Sequence, residues 1–228
     1  SYDKKNVPDL VNLEPMVDPF QQEITEIAMV LNVAAYFSNK DLWALVISEI
    51  TRYYIKHGVT SNTPLAFSGY ASILIVGNQD IKTGVAFGKM ALELHDHLKT
   101  TISLNKSVFI YYALIDWWEN PIESAIEGLE KSIVLSKNSG DLQFLGHAST
   151  LKANYLDETG VQLSILKDAT EELLAKIENS QERVDVYLTR LRESKIHSLL
   201  NPNLFDEGIS KEYYDFDKEE DTHIKNNQ

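Results

Sequence analysis

Four amphipathic segments begin at nearly constant intervals along this chain, near Asp41, Ile81, Ile122 and Val161, with a period of about forty residues. A period of that length accommodates two helices and their turns. Neither helix of such a unit can bury its apolar face alone, but stacked units can. The clearest copy is Asn78–Leu94, where Ile81, Val85, Gly88 and Leu92 form one stripe with Ala86, Met90 and Leu94 beside it. Spacings of three and four belong to one face of an α-helix. The period therefore predicts an all-α chain, a right-handed α-solenoid of about four helix pairs plus one unpaired helix.

Local signals divide the chain into an irregular lead-in over 1–17, a helical-repeat domain over 18–200 and an acidic loop or disordered tail over 201–228. Asp18-Pro19 starts the first helix, since Asp caps and Pro suits the first helical position; it runs to about Phe37 with Ile24, Ile27, Ala28, Leu31 and Ala35 inward. The second spans Asp41 to His57, with Leu42, Leu45, Val46, Ile50 and Tyr53 on one side, and Gly58 is placed for a left-handed cap. Thr63-Pro64 opens a third helix that ends near Gly77, and Asp80 caps the fourth. Thr100 to Glu119 reads as the fifth. The sixth carries Ile122, Ile126, Leu129 and Ile133 and closes at Gly140, and the seventh runs from Asp141 to about Asp157. The eighth, Val161 to Glu178, turns Ile165, Ala169 and Leu173 inward. The ninth, capped by Ser180, carries Val184, Leu188, Leu191 and Leu199 and stops at Asn201-Pro202. Lacking a partner helix, it makes the chain read as part of a longer array.

Composition narrows the function classes. The 228 residues are 43% hydrophobic, and 21 Lys and Arg against 34 Asp and Glu give a formal charge of −13. Such a surface repels nucleic acid and anionic membranes within a Debye length. The stretch 201–228 carries eight acids and three lysines, −5 of that total. Cysteine is absent, which removes disulfides, thiol nucleophiles and Cys-based zinc sites. No apolar run is long enough to span a membrane, and SYDKKNVPDL lacks the apolar core of a signal peptide, so a cytoplasmic location is expected.

No motif carries catalysis. Phe87-Gly88-Lys89-Met90 fails as a phosphate loop: Gly84 is one residue too close, Met90 has no hydroxyl, and the segment is helical. Gly88 reads instead as a small residue that lets two helices approach. His95 and His97, two apart on a helix, point to different faces and cannot share a metal; they read as a solvated helix end where a cationic imidazole suits the dipole. Asp215-Phe216-Asp217 begins like a calcium loop, but its sixth position is Glu220 and its twelfth Asn226. The expectation is a non-enzyme with no cofactor and no metal.

The aromatic residues are the informative group. Adjacent side chains on a helix diverge by about 100°, so the runs containing Tyr53, Tyr111, Tyr112, Trp117 and Trp118 cannot all face one core. They either fill interfaces between helix pairs or line a groove for a partner. These five are the candidate partner-binding residues.

Four segments, KHGVTSNTPLAFSGYA (56–71), NQDIKTGVAFGKMALEL (78–94), WWENPIESAIEGLEKS (117–132) and SGDLQFLGHA (139–148), resemble the tetratricopeptide-like helical-repeat segment of multidomain AAA/STAND-type signalling ATPases. LEPMVDPFQQEI (13–24) resembles the entry to that segment, and the likeness runs from about Leu13 to Leu200. In that family the array lies between an ATPase module and an output module such as a histidine kinase. The chain departs from it at Trp117-Trp118-Glu119-Asn120-Pro121, where the family has His before Trp, and in a longer loop at Val59–Asn62. The resemblance implies a regulatory, protein-interaction scaffold whose partners are proteins or peptides, including flanking domains of its own chain. The family's ATP-binding and phosphoacceptor motifs lie outside the matched segment. A free-standing peptide-binding adaptor is the alternative; Asn105, Lys106, Lys152 and Asn154 are the only sketch of a carboxylate clamp. A helical enzyme or small-ligand sensor ranks third. Oligomeric state is not legible at this level.

Overall fold

A computed structural model describes residues 6–177 and 183–201. The described chain is all-α: α1 Pro19–Ser38, α2 Lys40–His57, α3 Thr63–Val76, α4 Ile81–His97, α5 Leu104–Leu114, α6 Ile122–Ser139, α7 Leu142–Glu158, α8 Leu163–Ile177 and α9 Arg183–Leu200. Among the described residues there is no β-strand, only an isolated parallel bridge between Pro15 and Val59. The even-numbered helices start at Lys40, Ile81, Ile122 and Leu163, in equal steps along the chain. Side-chain caps fix several starts. Asp18 accepts from Phe20 N–H at 2.9 Å, Asn39 from Asp41 and Leu42, Asp80 from Thr83, and Asp141 from Phe144, each satisfying an amide that the helix leaves unpaired.

The chain forms two compact units, Ser1–Ser139 and Gly140–Gln228. In the first, α3 is central and packs on α2, α4 and α5. It is apolar all round, and Ala66, Phe67, Ala71, Leu74 and Ile75 are buried, as such a helix requires. Phe67 and Phe87 meet edge to face at 5.9 Å, with Tyr54 against Phe67 and Tyr70 against Phe87 in the same T-shaped geometry, a preferred aromatic arrangement.

The lead-in is more than an irregular segment. Pro8–Asn12 forms a 3-10 helix, and Val7, Leu10 and Met16 are buried in the core of this unit. Two backbone hydrogen bonds, Met16 N–H to Val59 O and Val59 N–H to Glu14 O, both 2.9 Å, fasten it to the loop after α2. That closeness explains Gly58. Its φ of +103° with an extended ψ is not the left-handed helical cap expected, and a Cβ there would lie 2.5 Å from Glu14 O.

The inward faces of α1 and α2 differ from the expected stripes. On α1 the buried residues are Thr25, Met29 and Ala35; Ile24, Ile27 and Leu31 are exposed. The helix is apolar nearly all round, so periodicity alone does not select a side, and contact with α2 does. On α2 the buried set is Ile47, Ile50, Thr51 and Tyr54; Ile50 lies inward as expected, Val46 and Tyr53 are half-buried, and Leu42 and Leu45 are exposed. Helix α5 is shorter than expected at both ends: it starts at Leu104 and gives way after Leu114 to a 3-10 turn, Asp116–Trp118.

In the second unit α8 packs on α7 and α9, and α7 on α9. Leu166, Thr170, Leu173 and Ile177 face inward on α8, whereas Ile165 is exposed and Ala169 half-buried. On α9 the buried positions are Thr189, Arg192, Ser194, Ile196 and Ser198, with Leu188 and Leu199 exposed and Leu191 half-buried. Burial lowers the Arg192 pKa, and the Asp157 carboxylate opposes that shift. Lys195 reaches Asp157 across α7 and α9 at 2.6 Å. The expected cap at Ser180, the tail over 202–228 with its Asp215 stretch, and the side chain of Val184 lie outside the described residues.

Candidate functional site

The end of α5 is where sequence and structure concentrate aromatic surface. The helix gives way after Leu114 to a turn that Asp116 builds, and Asn120, which precedes a proline, is disfavoured from resuming helical backbone. Asp116 O accepts from the amides of Glu119 at 3.1 Å and Asn120 at 3.0 Å, and Asp116 Oδ1 accepts from Asn120 Nδ2 at 2.8 Å. The resulting turn rotates Trp117 and Trp118 off the buried face. They are 51% and 44% exposed, with ring centroids 5.4 Å apart and planes inclined at 45°. Trp118 Nε1 donates to Leu114 O at 3.2 Å, and Glu119 pairs with Lys89 of α4 at 2.6 Å, so the turn is anchored at both ends.

Tyr111 and Tyr112 sit differently. Tyr111 is 5% exposed and lies against Gly88 of α4, where a Cβ would come 3.0 Å from its Cδ2; Gly88 does let two helices approach. Burial, then the neighbouring Asp116 carboxylate, pushes the Tyr111 hydroxyl well above the ordinary tyrosine range. Tyr112 meets Tyr111 edge to face at 5.0 Å and lies over Gly128 of α6, with Lys131 Nζ 5.8 Å from its ring centroid. Tyr53 is half-buried on α2, its ring 4.4 Å from that of His57. The structure thus brings Trp117 and Trp118 together at the surface and Tyr111 and Tyr112 together between helices, while Tyr53 packs, half-buried, against the core of the first unit.

A cleft of about 260 Å³ is lined by Pro8, Lys82, Lys89, Met90, Glu93 and Glu119 among others. Sequence reasoning did not find it, because Pro8 arrives from the lead-in and carries no periodic signal. A second cleft of about 380 Å³ lies in the other unit and involves Lys167, Glu171, Glu193 and His197.

Two readings of polar residues change. His95 is not a solvated helix end: it is 2% exposed, with Nδ1 3.2 Å from Thr100 O and Nε2 2.9 Å from Ser107 Oγ. Burial lowers its pKa, so the imidazole is held neutral; His97 is the more exposed of the two. Asn105, part of the sketched carboxylate clamp, is buried and donates to Ser136 Oγ at 3.1 Å, while its backbone carbonyl accepts from Ser132 Oγ at 3.0 Å. It joins α5 to α6.

Chemically, the exposed indoles offer two flat apolar faces beside carboxylates, suited to apolar or cationic side chains. Among the described residues no three His, Asp or Glu gather to hold a metal ion, and no helix is long and apolar enough to cross a membrane. No protein-family model, curated protein or solved structure matches the chain.

Proposed function

We propose that this chain is a non-catalytic, cytoplasmic regulatory scaffold that binds protein or peptide partners, built as a tetratricopeptide-like α-solenoid of the kind that links ATPase and output modules in signalling proteins. The observation that carries the binding role is the exposure of Trp117 and Trp118 side by side on a turn held by Asp116, Asn120 and the Lys89–Glu119 pair. Rigid, exposed tryptophans are among the commonest anchors of protein interfaces. The equal steps between the even-numbered helices and the packing of α3 on both α4 and α5 support the repeat architecture. A partner bridging neighbouring helix pairs would shift the population of array curvatures, which is how such a scaffold transmits a signal.

The test is a selection of displayed peptides against the chain, followed by titration of the enriched sequences into wild type and a Trp117→Ala/Trp118→Ala variant. Binding is expected to weaken at least about tenfold in the variant, with helicity unchanged, as loss of a hot-spot pair requires. Failure to enrich any peptide, or binders indifferent to the double substitution, would remove the tryptophan pair from the account.

A further inference from the structure

Helix α1 is apolar on nearly every side yet packs on only one of them. Thr25, Met29 and Ala35 are buried, while Phe20, Ile24, Ile27, Val30, Leu31 and Phe37 are exposed, Ile27 by 70%. Helices of this kind are normally enclosed. From standard side-chain areas, the six exposed residues present on the order of 700 Å² of apolar surface. That is beyond the usual largest patch of a monomer and close to the ~800 Å² per partner of a stable interface.

The face also carries its own complement. Its only charged side chains within α1 are Glu23 and Glu26, both in the N-terminal half, and Lys40 follows just past the C-terminal end. Lys40 Nζ is held there by Tyr36 O at 2.7 Å and lies over the Tyr36 ring, with donors to spare. Two copies laid parallel would stack glutamate on glutamate. Laid antiparallel about a two-fold axis at Val30–Leu31, Ile27 faces the exposed Ala34 of the second copy, Ile24 faces Phe37, and Glu23 comes within a turn of the second copy's Lys40. Ile27 of each copy then meets a small side chain across the axis, and Glu23, though not Glu26, has a base within a turn of it.

We propose that the exposed face of α1 is the interface of an antiparallel, two-fold homodimer of this chain. The proposal does not depend on the tryptophan pair, since it uses a different helix and a different occupant.

Sedimentation of the full chain across roughly 1–100 μM, a range in which an interface of this size associates, tests it. The expected result is a monomer–dimer equilibrium that stops at two. Ile27→Asp should weaken it by about a hundredfold, because a carboxylate is then buried at the centre of the contact. Its circular dichroism should be unchanged, since Ile27 touches little within its own chain. Glu23→Lys should weaken association about tenfold, and adding Lys40→Glu should restore it. A monomer at every concentration, growth beyond two copies, or indifference to Ile27→Asp would overturn the interface. Failure of the double charge reversal to restore association would overturn the antiparallel arrangement.

Discussion

Replacing Gly128 by alanine sets two effects of known size against each other. Gly128 lies within α6, where alanine is favoured over glycine by about 1 kcal/mol. On an open helix surface the substitution would stabilise. Here the new Cβ would lie 2.0 Å from Tyr112 Cγ and 2.1 and 2.3 Å from its Cδ atoms. Carbon atoms settle about 3.5–4 Å apart, so the ring must withdraw by roughly 1.5 Å. The conflict is with Cγ, next to the backbone of α5, and not with a flexible tip. Relief therefore needs a new Tyr112 rotamer or a separation of α5 from α6. Overpacking costs about 1–3 kcal/mol, and so short a contact with an inflexible atom takes the upper part of that range, about 2–3 kcal/mol. After subtraction of the helix gain, Gly128→Ala should destabilise the first unit by about 1–2 kcal/mol, lowering its Tm by about 3–8 °C. Tryptophan fluorescence is a suitable probe because Trp43, Trp117 and Trp118 all belong to that unit. In the Tyr112→Ala background the ring is gone and the same substitution should stabilise by about 0.5–1 kcal/mol. The two cycles would then differ by about 2–3 kcal/mol, a coupling of the size that neighbouring groups in contact show and distant sites do not. Equal effects in both backgrounds, or a stabilising Gly128→Ala in the wild type, would refute the steric argument.

Other positions test other parts of the fold. Tyr111→Ala should cost about 3–5 kcal/mol and Trp117→Ala about 0.5 kcal/mol or less, because one side chain is buried and the other half-exposed; equal losses by denaturant titration would contradict their placement. Gly58→Ala combines a positive φ with a 2.5 Å approach to Glu14 O and should destabilise by about 2–3 kcal/mol, much of it absent from a chain lacking residues 1–16. The folded His95 pKa lies below the ordinary imidazole value of 6.5, so the unfolded chain binds the extra proton as pH falls through that value. The His95 contribution is therefore full above about pH 6.5 and is lost as pH falls toward the folded pKa. A chain carrying His95→Gln should lose less stability between neutral and mildly acidic pH, and identical pH slopes would show that His95 is not the group responsible.

The helix plan was legible because caps and turns are local. Asp18, Asn39, Asp80 and Asp141 each close a helix start with their own side chain, and the spacing of the even-numbered helices follows from such local signals. Which face turns inward is not local. Helix α1 has apolar residues on both sides, so Ile24 and Ile27 fit a stripe as well as Met29 does, and only the neighbouring α2 decides. His95 departs from its expected place for a related reason: its partners Thr100 and Ser107 come from beyond the helix end, and nothing in the order His95-Asp96-His97 announces them. Of the five aromatic candidates, the divergence of neighbours separated buried from exposed in principle. The 3-10 turn that places both Trp117 and Trp118 outside could be read only by weighing Asp116 and the proline after Asn120 together.

The bridge between Pro15 and Val59 also has a mechanical consequence. It closes the chain on itself around the α1–α2 pair, with two amide hydrogen bonds as the clasp and three buried lead-in side chains beneath them. Tension applied between residue 6 and any point beyond α2 runs through that clasp and leaves α1 and α2 slack. The pair comes under load only after the clasp has torn, so the first rupture under force belongs to a short segment that carries little regular structure.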